Sequence, residues 1–117
     1  MNEEESKNRT KNFALRILKL IDALPNTVAG RTVAGQLARS GTSVAANYRA
    51  ACRGKSKADF IAKLGIVEEE ADESQFWLEI IMDSEMLKTA LVEPLRQEAG
   101  EIVAIMVSSR KSAAKSN

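Results

Sequence analysis

Phe60, Leu64, Val67, Ala71, Ser74, Leu78 and Ile81 follow one another in alternating steps of four and three. A β-strand puts every second residue on one face, so only a long amphipathic helix keeps this rhythm on a single stripe. Such a helix resembles one strand of a coiled coil and packs lengthwise on a partner of similar length.

The rest of the chain supplies partners. Val33, Leu37, Ser40, Val44, Tyr48 and Ala51 share one helical face. Phe13, Ile17, Leu20 or Ile21, and Leu24 share another, as do Leu95, Ala99, Ile102, Met106 and Ser109. Pro25 ends the first helix, and Asn26 or Thr27 caps the second. Gly54 is a C-terminal stop, Ser56 caps the third helix with Asp59 reaching back, and Pro94 suits a first turn. These signals predict helices over about 7–24, 28–53, 57–87 and 94–112, with a frayed polar tail at 113–117. The expected fold is all-α: one domain over 1–117, an up-down-up-down four-helix bundle. A three-helix bundle with a loose N-terminal helix is the alternative.

Composition narrows the chemistry. The net charge of +1 gives no bulk attraction to nucleic acid or an anionic membrane. Histidine, the commonest general base and metal ligand, is absent. Cys52 is the one cysteine, so no intrachain disulfide forms. A small packed thiol is the expectation there, in keeping with a reducing cytoplasm. No apolar run reaches the roughly 20 residues of a membrane helix, and the acidic opening MNEEES is not expected to act as a signal peptide.

The stretch RSGTSVAANYRAA, Arg39 to Ala51, puts small and polar residues inside a helix. Gly41, Ala45 and Ala46 leave room for a close neighbour, and Ser40, Thr42 and Ser43 can bond back to their own helix. Arg39 and Asn47 call for outside partners. Every charge from Thr27 to Lys57 is basic, and nearly every charge from Ala58 to Leu87 is acidic. Folding these helices antiparallel places Arg39 opposite the Glu70–Glu73 turn and Arg31 opposite Glu79. Arg39, Asn47, Glu70 and Glu73 form the expected interhelical polar layer, with at least one member buried and Arg39→Ala strongly destabilising. A solvated ladder is the alternative.

The segment QLARSGTSVAANYRAACRGKSKADFIAKLGIVEEEADESQFWLEII carries a resemblance. Its elements RSGTSVAAN, SKADFIAKL and EEADESQFWL resemble the bacterial four-helix-bundle family named for reading frames within intervening sequences of large-subunit ribosomal RNA genes. The resemblance implies an up-down-up-down bundle that assembles as a homopentamer. The chain is also distantly similar to the accessory variability determinant of diversity-generating retroelements, a strongly basic pentamer that binds nucleic acid and a reverse transcriptase. No enzymatic residue carries over.

Three chemistries compete with a plain scaffold. Glu69, Glu70 and Glu73 resemble part of a carboxylate metal site, but a bundle site of that type also needs histidine. Cys52 lacks a partner base. Phe76 and Trp77 suit either base stacking or a subunit interface. Helix 3 carries apolar residues outside its seam, notably Ile66, Phe76, Trp77 and Ile80, and a second apolar face predicts self-association. The leading expectation is therefore a non-enzymatic homo-oligomeric scaffold without cofactor, with an unidentified client. The alternative is a nucleic-acid-binding accessory protein acting through Lys7, Lys11, Arg110, Lys111 and Lys115. An up-down bundle gathers these at one end.

Overall fold

The computed structural model describes residues 1–116. Four helices follow in order, α1 (Glu3–Ile21), α2 (Val28–Cys52), α3 (Lys57–Asp83) and α4 (Thr89–Lys115), with no strand among the described residues. They run up, down, up, down, and each packs on its sequence neighbours, closing a bundle about 50 Å long. No helix is long and apolar enough to cross a membrane.

The α3 stripe is the spine. Leu64, Val67, Ala71, Ser74, Leu78 and Ile81 are wholly buried. They meet Val33, Leu37, Val44 and Tyr48 from α2, and Val92, Leu95, Ala99, Ile102 and Met106 from α4. Phe13 and Ile17 bring α1 into the same core. Helix α1 lies closely along α2 but touches α4 over a much shorter stretch.

The helix ends differ from the sequence-based expectation. Helix α1 starts at Glu3 rather than Lys7, because the Asn2 side chain accepts from the Glu5 amide at 2.8 Å and donates to the Glu5 carboxylate at 2.9 Å. It ends at Ile21 rather than Leu24. Helix α3 stops at Asp83, not Leu87. The Met86 amide turns back to the Ile81 carbonyl and the Glu85 amide to that of Met82, a Schellman closure. It puts Glu85 at φ 61°, where glycine is the usual occupant. Helix α4 begins at Thr89, so Pro94 sits inside it rather than in its first turn. There it forgoes one backbone bond on an exposed face. The tail expected to fray continues helical through Lys115, and Asn117 lies outside the described residues.

The loops are closed by local contacts. Thr27 accepts from the Gly30 amide and Ser56 from that of Asp59, both at 3.0 Å. Asp59 reaches back to the Lys55 amide rather than that of Ser56. No glycine adopts a left-handed backbone, so Gly54 serves through its lack of bulk. A Cβ there would lie 2.9 Å from the Asp59 carboxylate and 3.0 Å from the Ala51 carbonyl.

Gly41 sets the spacing of α1 and α2. A Cβ at this buried position would lie 2.8 Å from Ile17 Cγ2 and 3.0 Å from Cγ1. Ile17 is β-branched, wholly buried and unable to turn aside. Gly41→Ala should therefore cost about 1–3 kcal/mol by overpacking. Gly35 has nothing within 4 Å of its virtual Cβ. Gly35→Ala should stabilise by up to about 1 kcal/mol through helix propensity alone. Urea unfolding of the two variants should move in opposite directions.

Candidate functional site

The interhelical polar contacts fall into two layers. Inside, the Ser40 and Ser74 hydroxyls lie 2.9 Å apart, and neither residue is exposed. Ser74 is also 2.9 Å from the Glu70 carbonyl. A hydroxyl has one proton, so one of these contacts uses Ser40 as donor, and both oxygens are satisfied. Outside, Arg39 donates to Glu70 at 2.9 Å and also to Glu73. Half of the Arg39 side chain is exposed, against 17% for Glu70 and 34% for Glu73. The expectation of a strongly destabilising Arg39→Ala is therefore revised. A guanidinium half exposed to water competes with solvent for its carboxylates, so its ion pairs add little net stability.

Two other expected partners are absent. Arg31 bonds to Asn26 at 2.9 Å rather than to Glu79. The Asn47 amide bonds to the carbonyl and hydroxyl of Ser43, one turn back on its own helix. Asn47 thus contributes nothing across the α2–α3 seam.

The more enclosed ion pair is one that sequence reasoning missed. Arg9 of α1 forks onto both oxygens of Glu98 at 2.7 Å and reaches Glu101 at 2.8 Å, tying α1 to α4. Its side chain is 25% exposed and that of Glu98 is 17% exposed. The available signal was the Glu98–Glu101 pair, three residues apart on α4 and level with Arg9 in an antiparallel register.

On the far side of α3, Ile66 is 43% and Phe76 50% exposed. Trp77 and Ile80 are half-buried against the core. The Phe76 and Trp77 rings meet edge to face with centroids 5.0 Å apart. The Trp77 indole N–H donates to Glu73 at 3.1 Å, linking the aromatic pair to Arg39. The hydrogen bond from Arg39 holds the Glu73 carboxyl below the usual carboxylate range. Trp77 adds to that effect and partial burial opposes it.

The basic residues of the termini do not form one cluster. Lys7 and Lys11 line a groove of about 370 Å³ between α1 and α2, with Arg49, Glu4, Asn8, Ala45 and Ala46. Arg110 instead turns onto α3 and pairs with Glu68, its Nε enclosed without a partner. Lys111 and Lys115 are exposed near the end of α4. Cys52 is half-buried, and burial pushes its thiol pKa up, away from nucleophile chemistry. Glu70 and Glu73 are held by Arg39. Among the described residues no three histidines, thiols or carboxylates converge as metal ligands would.

Two measurements check these assignments. Arg9→Ala should cost about 1–3 kcal/mol, because Arg9 is only a quarter exposed and its loss removes a two-pronged fork on Glu98 together with the packing of its stem. Arg39→Ala should fall within the range of ordinary surface substitutions in the same urea melts. Trp77 is the only tryptophan, so its emission reports on Glu73. A depressed carboxylate pKa stabilises the fold above its unfolded value and loses that contribution as pH falls through the folded value. Trp77 emission should therefore change only below about pH 4.3, the ordinary glutamate value. Arg39→Gln should move that midpoint upward.

The chain shares 36% identity and a TM-score of 0.85 with a crystal structure from Bacteroides thetaiotaomicron VPI-5482, that of a protein with unknown function from the S23 ribosomal protein family. The match covers 91% of this chain and 98% of the other. No curated protein matches it. The family model for the 23S rRNA-intervening sequence protein matches residues 3–108, from the first turn of α1 to deep within α4, and the chain belongs to that family.

Proposed function

We propose that this protein is a non-enzymatic helical-bundle scaffold that works in the cytoplasm as a homo-oligomer and presents its outer faces to a client. The observation that carries this reading is the second apolar face of α3. The inward stripe of α3 is already filled, yet Ile66 and Phe76 remain about half exposed, with Trp77 and Ile80 beside them. Large apolar groups on the back of a helix whose front is spent fit a partner surface, and a second copy is the simplest partner. The pentamer implied by the family resemblance suits this reading.

Light scattering at micromolar concentration tests it. The wild-type chain should exceed the monomer mass. Phe76→Asp should shift it toward smaller species while circular dichroism shows the four helices retained, although loss of the Phe76–Trp77 pair should cost about 0.5–1.5 kcal/mol of subunit stability. A wild-type chain that stays monomeric overturns the proposal.

The groove between α1 and α2 favours a second reading, nucleic-acid binding. Lys7, Lys11 and Arg49 converge there around a floor of Ala45 and Ala46, and none has a carboxylate within ion-pair distance among the described residues. Binding through this groove should fall with salt at a logarithmic slope of about −0.9 per phosphate neutralised on duplex DNA. It should be lost in a Lys7→Gln, Lys11→Gln, Arg49→Gln variant. Retention of binding in that variant removes the groove as the site.

A further inference from the structure

Helices α1 and α3 stand at opposite corners of the bundle. Each packs on α2 and α4, and the two do not adjoin each other. Their outer faces therefore point in opposite directions, and these faces carry opposite charge. Helix α1 opens on Glu3, Glu4 and Glu5, but from Ser6 to Ile21 it has five bases and no acid. Arg9 is spent on α4, but Lys11 and Lys19 are exposed and unpaired among the described residues. Leu15 and Leu18 lie on the same stripe, 56% and 41% exposed. From Leu64 to Asp83, α3 has seven acids and no base. Glu69 and Asp72 are exposed, make no ion pair among the described residues, and lie between the exposed Ile66 and Phe76.

We propose that the outer face of α1 in one copy seats on the outer face of α3 in the next, a head-to-tail contact. The proposal rests on the homo-oligomer reading above and names its interface. Each face combines two apolar side chains with charges that the other face complements. A polyanion would answer the lysines of α1 but leave its leucines, and the whole of α3, without a mate. A second copy answers both. The geometry also excludes a closed twofold pair built from these faces. Such a pair sets like on like, bases against bases or acids against acids, and like charges in apposition are costly. Opposed unlike faces join copies in series, so the assembly passes beyond a dimer into a ring or a filament.

Charge reversal tests this on the full chain. One variant carries Lys11→Glu and Lys19→Glu, and a second carries Glu69→Lys and Asp72→Lys. Circular dichroism confirms that each keeps its helices. Alone, each should lose assembly, with the self-dissociation constant raised at least about a hundredfold. Mixed one to one, they should assemble again in alternation, because each supplies the face the other has inverted. A chain carrying all four changes should assemble alone.

If the wild type assembles and neither variant changes its mass, the proposed interface is wrong while the scaffold reading stands. Failure of both the mixture and the fourfold variant to recover also overturns the interface. A wild-type chain that stays monomeric overturns both, as does one that stays monomeric while capturing a short single-stranded RNA through Lys11 and Lys19.

Discussion

The four-three seam of α3 is the constraint on which the rest depends. One stripe has to satisfy α2 on one flank and α4 on the other, which it does with wholly buried Leu64, Val67, Leu78 and Ile81. Small residues fill the middle. Ala71 and Ser74 let α2 come close enough for the Ser40 and Ser74 hydroxyls to meet. That contact is specific where aliphatic packing is permissive, because two buried hydroxyls meet at hydrogen-bond distance at only one register of α2 against α3. The seam also uses up the apolar capacity of the bundle. Once it is filled, Ile66 and Phe76 have no mate within the subunit, and the surface chemistry of the molecule begins there.

The middle of each helix was legible because burial follows periodicity. Of the seven residues in the α3 stripe, all but Phe60 are wholly buried, and Phe60 is half-buried where α3 starts. The antiparallel register was legible as well, since a tight turn near Lys55 aligns Arg39 with the Glu70–Glu73 turn. Depth was harder to read. Successive helical residues point about 100° apart, so Ser40 faces inward while Arg39, its neighbour, lies at the rim. The buried polar contact thus belongs to two serines, and the guanidinium guards its outer edge. Arg31 and Asn47 went elsewhere for a related reason. Asn26 and Ser43 lie within one or two turns in sequence, and a local partner costs less ordering than one on another helix.

Helix ends were less legible, because they are set by hydrogen bonding rather than by apolar rhythm. The first turn of α1 reads as a polar tail until Asn2 and Glu5 are seen as a reciprocal cap. Helix α4 starts ahead of its proline because Val92, three residues before Leu95 and wholly buried, continues its packed face in that direction. The Arg9 fork eluded the sequence for another reason. It joins the first helix to the last, and that register depends on the lengths of all three connections between them.

The short contact between α1 and α4 has a consequence for how the bundle breathes. Along α2, helix α1 is locked by the approach of Ile17 to Gly41. Along α4 it is tied by the Arg9 fork, without a full seam. The chain therefore holds α2, α3 and α4 through two long seams that share α3, with α1 fastened chiefly along α2. Local opening follows the thinnest fastening. Backbone amides of α1 should exchange with deuterium through an opening that leaves α2, α3 and α4 protected, which makes the first helix a separate cooperative unit within an otherwise all-or-none fold.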